Sequence, residues 1–150
     1  MLFLIKHIIF VIITIVISYI DIKFRKIPDM LSLPLVTIGL IFSFFSDDPS
    51  IKQALVGAIL GFVAFYLLAL IHLKLTKSHG LGGGDIKFIA GIGAFVGGMG
   101  VIFVIFFSAM FALVFLCIKR NRDMVVSYAP FLTISAFLYI IYKNFLTNIL

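Results

Sequence analysis

The stretch Gly80-Leu81-Gly82-Gly83-Gly84-Asp85-Ile86-Lys87 sets a carboxylate and an ammonium into a glycine-rich backbone, with long apolar runs on either side. Burying a carboxylate at membrane depth is costly unless it is paired or protonated, so an acid placed there is first of all a functional candidate. The same residues also fit a flexible loop in which Asp85 only caps the following helix, because Asp is a favoured N-cap residue. A second acid separates these readings, and it is found by moving outward along the chain.

The surroundings are those of an integral membrane protein. Of 150 residues, 63% are hydrophobic and 12% charged, with a mean hydropathy of +1.29, against about a quarter charged in an ordinary soluble domain. Leu2 to Ile20 is apolar apart from Lys6, His7, Thr14 and Ser18 and comes close to the ~30 Å hydrocarbon thickness. It ends in Asp21-Ile22-Lys23 rather than in a small-residue cleavage site, so it reads as a helix of the mature chain and not as a secretory signal. Further apolar runs are Met30 to Phe45, Ala54 to Leu73, a short Gly-rich one from Asp85 to about Gly98, Met99 to Ile118, and Met124 to Tyr142. The expectation is a single all-α transmembrane domain over residues 1–150, a six-transmembrane helix bundle with no room for an appended soluble module. Glycines 91, 93, 97, 98 and 100 let neighbouring helices approach closely, which predicts a central fourth helix.

The net charge of +6 is distributed in short basic groups between apolar runs, the pattern of membrane topology rather than of a groove for nucleic acid. Lys23, Arg25 and Lys26, then Lys74, Lys77 and Lys87, then Lys119, Arg120 and Arg122 fall on one side. Lys6, Lys52 and Lys143 fall on the other, with the Asp47-Asp48-Pro49 loop. Basic loops are cytoplasmic, so both termini are predicted to be extracytoplasmic. Asp21, closing the first helix, and Asp85, opening the fourth, then share the cytoplasmic edge.

The acids are Asp21, Asp29, Asp47, Asp48, Asp85 and Asp123, with no glutamate, and the single Cys117 builds neither a disulfide nor a CxxC zinc site. No metal or cofactor is expected. His7 is predicted on the outer face, His72 in the third helix and His79 beside the glycine loop, and no Ser-His or Cys-His arrangement stands out. Peptide hydrolysis with these means requires two aspartates sharing one proton, which Asp21 and Asp85 can supply. Asp21 follows a helix C-terminus and Asp85 precedes a helix N-terminus, an opposite polarity that predicts an ionised Asp85, with Lys87 pushing the same way, and a protonated Asp21. Asp29, after Ile27-Pro28, is predicted to cap the second helix.

These residues carry a resemblance. Gly80 to Lys87 resembles the G-x-G-D-x-K signature of the bacterial type IV prepilin peptidases, the GxGD membrane aspartyl proteases. Asp21-Ile22-Lys23-Phe24-Arg25-Lys26-Ile27-Pro28-Asp29, with Leu31, Leu33 and Pro34, is similar to that family's first catalytic segment. Tyr128-Ala129-Pro130-Phe131-Leu132 resembles the Pro-Phe-containing start of its last helix. The resemblance implies that Asp21 and Asp85 are the catalytic pair, supported by the loops that hold Gly82, Gly84, Lys87, Ile27, Pro28 and Asp29. It further implies a prepilin or pseudopilin-like precursor as protein substrate, cut in the inner membrane at its cytoplasmic face where a basic leader meets an apolar helix. Large members of the family carry a cytoplasmic domain with paired CxxC motifs and methylate the new terminus. Neither feature is in this sequence, which resembles the short members associated with Tad/Flp-type pili or a peptidase-only relative. An alternative reading of the residues is a proton or solute carrier whose intramembrane carboxylates relay charge, although symmetric helical repeats are not evident.

Overall fold

Small residues decide how the helices of this chain meet. The computed structural model describes residues 2–45, 48–76, 82–119 and 127–149. Asp47, Lys77, His79, Gly80, Leu81, Arg120, Arg122 and Asp123 lie outside the described residues. In chain order the helices are α1 (Leu2–Phe24), α2 (Asp29–Phe44), α3 (Ile51–Thr76), α4 (Gly83–Lys119) and α5 (Ala129–Ile149).

Because α3 is apolar on nearly every side, its buried face is selected by size. Ala54, Gly57, Ala58, Gly61 and Phe65 recur at three- and four-residue spacing and are buried, whereas Leu55, Val56, Ile59, Phe62 and Tyr66 point outward. The glycines bring backbone against backbone. A Cβ on Gly57 would stand 2.2 Å from the Gly93 carbonyl oxygen, and one on Gly93 would stand 2.2 Å from that of Gly57.

The contacts of α3 also show what α4 does at Gly97, where the backbone takes φ 80° and ψ 178°. A Cβ on Gly57 would meet Gly93 and Gly97, whereas one on Gly61, a turn further along α3, would meet Ile89 and Val101. One turn along α3 is thus one turn back before Gly97 and one turn forward after it, so the two arms of α4 run in opposite directions. Only glycine takes this φ without strain. The first arm is the centre of the bundle: Phe88, Ile89, Ala90, Ile92, Ala94, Phe95 and Val96 are all buried. Phe10 of α1, Leu35 of α2, Phe65 of α3 and Leu132 of α5 belong to the same apolar core.

The expectation of six membrane-crossing helices is corrected here. Four helices have the length and apolarity to cross a membrane, at Ile5–Phe24, Ile51–Lys74, Gly83–Ile118 and Ala129–Leu146, which makes the chain a multi-pass membrane protein. The 16-residue α2 is shorter, reaching about 24 Å at 1.5 Å per residue, and the expected fourth and fifth helices are one element folded at Gly97. The first arm, residues 83–96, is only about 21 Å long.

The ends of the bundle differ in character. At one, Lys6 of α1, only 1% exposed, donates to the Asp48 carbonyl at 3.4 Å, and Lys143 of α5 pairs with the Asp48 carboxylate. Asp21 and Asp85 are at the other. Gly57→Ala and Gly93→Ala should each destabilise the protein by about 1–3 kcal/mol, the cost of overpacking a filled contact, read as a lower unfolding midpoint in detergent micelles. An unchanged midpoint in both would show that α3 and α4 do not meet backbone to backbone.

Candidate active site

Asp21 lies in the last turn of α1, which ends because Arg25 turns into the left-handed region (φ 53°). The Arg25 N–H donates to the Asp21 carbonyl at 2.8 Å, closing the helix end, and the Ser127 hydroxyl donates to the same oxygen at 3.0 Å. The Asp21 carboxylate accepts the Ala129 N–H at 3.2 Å and is also reached by the Tyr128 N–H. Tyr128 begins α5, since its carbonyl accepts the N–H groups of Phe131 and Leu132, but its phenol ring cannot cap the helix. Asp21, 5% exposed, therefore supplies from α1 an acceptor for the orphan N–H groups at a helix N-terminus.

Asp85 lies half-buried in the first turn of α4. Its N–H donates to the Gly82 carbonyl at 3.1 Å, and its carboxylate accepts the Gly82 N–H. The two acids are near enough for the charge of Asp21 to act on Asp85. The structure thus brings together residues 64 positions apart, from α1 and α4, at one end of the bundle.

Two expectations change. Helix polarity does not divide the pair, because both acids sit at helix N-termini: Asp85 at that of its own helix and Asp21 at that of α5. Asp29 is not the cap of α2. Pro28 occupies that position with an extended backbone (φ −71°, ψ 129°) and no side-chain bond, and Asp29 is the first helical residue. Its carboxylate instead accepts from Lys87 Nζ at 2.6 Å. Lys87 is therefore the partner of Asp29, in a solvent-exposed pair worth about 0–1 kcal/mol.

Between these residues runs the contact that joins the two sequence motifs. A Cβ on Gly84 would stand 2.7 Å from the Ile27 Cβ and 2.9 Å from the Ile27 carbonyl oxygen, so glycine is required for α4 to begin against the turn before α2. Nothing lies within 4 Å of a Cβ on Gly83, and one on Gly82 would meet the Asp85 carboxylate at 3.3 Å. Ile27 and Pro28 are half-buried in this seam.

Tyr128, which the sequence offers only as the start of the Pro-Phe-containing segment, and Ser108, which it does not mark, both lie at this end of the bundle. The Tyr128 phenol meets Ser108 Oγ at 2.9 Å and lies tilted against the rings of Phe65 (5.8 Å) and Phe131 (6.4 Å). Burial pushes the phenol above its ordinary value; the bond to Ser108 opposes this and the charge of Asp85 adds to it. The available signal was Ser127, a small polar residue shortly before the Pro130 of a new helix. Among the described residues no three His, Cys, Asp or Glu side chains gather as a metal site. A cavity of about 580 Å³ beside Gly97, Lys52, Met99 and Tyr139 contains neither acid and belongs to the opposite end.

Fold and site together define a helical membrane protein with a paired-carboxylate site. The chain belongs to the Type IV leader peptidase family, which it matches over residues 8–117. A prepilin leader peptidase/N-methyltransferase of Neisseria gonorrhoeae is 32% identical over 122 residues, 81% of this chain and 43% of the relative. Similar proteins of the same description from Xanthomonas campestris and Pectobacterium carotovorum are 32% and 30% identical over 136 and 135 residues. The chain spans less than half the length of these relatives, 43% to 48%. No solved structure matches it.

The glycine seam makes a sharp comparison between adjacent residues. Gly84→Ala should lower the unfolding midpoint by forcing α4 off Ile27, at a cost of about 1–3 kcal/mol, whereas Gly83→Ala should change stability by less than about 0.5 kcal/mol. Equal effects would show that Gly84 does not hold the two motifs together.

Proposed function

We propose that this chain is an aspartyl endopeptidase that removes the basic leader from type IV prepilin or pseudopilin-like precursors, with Asp21 and Asp85 as the catalytic pair. The observation that carries this reading is the convergence of the two acids at one end of the bundle from separate helices, each held by backbone N–H groups. Family membership supports it, since the relatives' names state leader peptidase activity. The same names state N-methyltransferase activity, on which the motifs found here do not bear.

The chemistry follows from one proton shared by two carboxylates. The charged carboxylate takes a proton from water as the water oxygen bonds to the scissile carbonyl carbon. The protonated partner gives its proton to the carbonyl oxygen. The tetrahedral adduct then loses the amine, which leaves with a proton returned by the pair, so that one peptide bond and one water become an acid and an amine. Gly82 and Gly84 set Asp85 in place, and Ile27, Pro28, Asp29 and Lys87 support the loop that faces it.

The site end carries Lys23, Arg25, Lys26 and Lys87 beside the acids, and in the inner membrane such a basic edge faces the cytoplasm. In this orientation both chain termini lie outside. A reporter fused after Leu150 should therefore read extracytoplasmic, and a cytoplasmic reading would overturn the proposed orientation.

The enzymatic reading is tested by co-expression with a candidate precursor and detection of the cut product on a gel. Asp21→Asn and Asp85→Asn should each lower cleavage by about 10²–10⁴-fold, the contribution of a positioned acid or base, with the protein still in the membrane. Asparagine keeps an acceptor for the Ala129 N–H, so loss of activity in Asp21→Asn reports on the proton rather than on the helix contact. Cleavage plotted against pH should be bell-shaped, falling when both acids are protonated and again when both are charged. Activity that rises and stays flat far into the alkaline range would remove the shared proton from the mechanism.

A further inference from the structure

The cavity of about 580 Å³ at the end of the bundle away from the acids lies where α3, the fold of α4 at Gly97 and α5 come together. That volume is within the usual range of ligand sites, about 300–1,000 Å³. Its lining divides by chemistry. One wall is apolar, made by Val56 and Leu60 of α3 and by Met99 and Ile102 of the second arm of α4, all four of them exposed. Exposed apolar residues on spanning helices face hydrocarbon, so on this side the cavity is continuous with the bilayer.

The rest of the lining is made largely of donors. Lys52 pairs with no acid among the described residues. Gln53 Oε1 accepts the Ser50 N–H at 3.2 Å, which leaves the amide N–H groups of Gln53 to donate. The Tyr139 ring is set against Phe103, 5.5 Å between centroids, and its hydroxyl has no hydrogen-bond partner among the described residues. The acid that lines the cavity, Asp48, is already answered by Lys143, and Lys6 stands on its carbonyl. Even with Asp47 of the same loop counted, Lys6, Lys52 and Lys143 outnumber the acids on this side.

We propose that this cavity binds an anionic phospholipid of the adjoining leaflet, its phosphate accepting from Lys52, Gln53 and Tyr139 and an acyl chain lying along Val56, Leu60 and Ile102. The donors call for an acceptor, and the excess of lysine calls for a net negative charge. The apolar wall calls for a chain, which a free phosphate lacks. Basic pockets between spanning helices hold anionic headgroups in this way. Gly97 and Gly98 line the same cavity, so the bound lipid braces the fold of α4. Neither Asp21 nor Asp85 lines it, and the site stands or falls apart from the peptidase reading.

The test uses the full chain, which has no tryptophan. Met99→Trp puts a single fluorescent reporter on the cavity wall, and Phe44→Trp puts one on an exposed residue at the same end of the bundle but off the cavity. Each protein is placed in phosphatidylcholine vesicles and titrated with phosphatidylglycerol or phosphatidylcholine carrying brominated acyl chains, which quench a neighbouring indole. Met99→Trp should be quenched at an about 5-fold lower fraction of the anionic lipid than of the neutral one, the worth of one lysine near a lipid phosphate. Lys52→Ala in the same background should abolish this preference and Lys52→Arg should keep it. Phe44→Trp should show none. Equal quenching by the two lipids at Met99→Trp overturns the proposal, and so does an equal preference at Phe44→Trp, which is the mark of a diffuse surface charge. Loss of the preference in inorganic phosphate, but not in chloride of the same ionic strength, would make this a site for small anions and overturn the lipid as well. Native mass spectrometry of the chain without a reporter, released from mixed micelles, gives a second readout: it should retain phosphatidylglycerol, Lys52→Ala should retain about 5-fold less, and equal retention by the two overturns the site.

Discussion

The bond from the Ala129 N–H to the Asp21 carboxylate is the constraint on which the arrangement of this site depends. A helix N-terminus in an apolar setting leaves backbone N–H groups that need an acceptor, and the ring of Tyr128, which precedes the first helical residue of α5, cannot serve. The acceptor comes from α1, 108 residues earlier in the chain. An acid proposed for the chemistry is thereby also part of the fold. The Ser127 hydroxyl and Arg25 N–H, both on the Asp21 carbonyl, close the same junction. Asp85 is held more locally, by the first turn of α4 and the Gly82 backbone.

Much of this was legible in the sequence, for reasons that can be named. Grouping of lysine and arginine after Asp21 and around Asp85 placed both acids at one level, because the charge pattern along a multi-pass chain reports which ends lie together. The glycine before Asp85 was legible as a motif, but its role as the surface on which Ile27 rests was not, since no local pattern reveals a contact between residues 57 positions apart. The same holds for Asp29. Its position after a proline suggests a cap, and only the fold brings Lys87 within reach of it. The count of six spanning helices came out too high because α2, at 16 residues, is shorter than the other helices, and because the runs on either side of Gly97 form one element folded there.

Taken against its own helix, Asp21 stands at a C-terminus. The nearest helix end to the Asp21 carboxylate belongs to α5, which is remote in sequence and opposite in sign. In a helical bundle the electrostatics of a terminus are set by whichever helix ends beside it.

Lys6 gives α1 one further property. With Lys6 held on the Asp48 carbonyl and Asp21 on α5, α1 is fastened at two depths about 23 Å apart. Sliding along its axis like a piston, or rolling about it, would strip Lys6 and Asp21 of their partners together. The α2 side of the site is closed by a solvent-facing ion pair and by the meeting of one glycine with one isoleucine, both cheaper to part. At this end of the bundle the α2 side is therefore the more loosely fastened, and α1 the more firmly held.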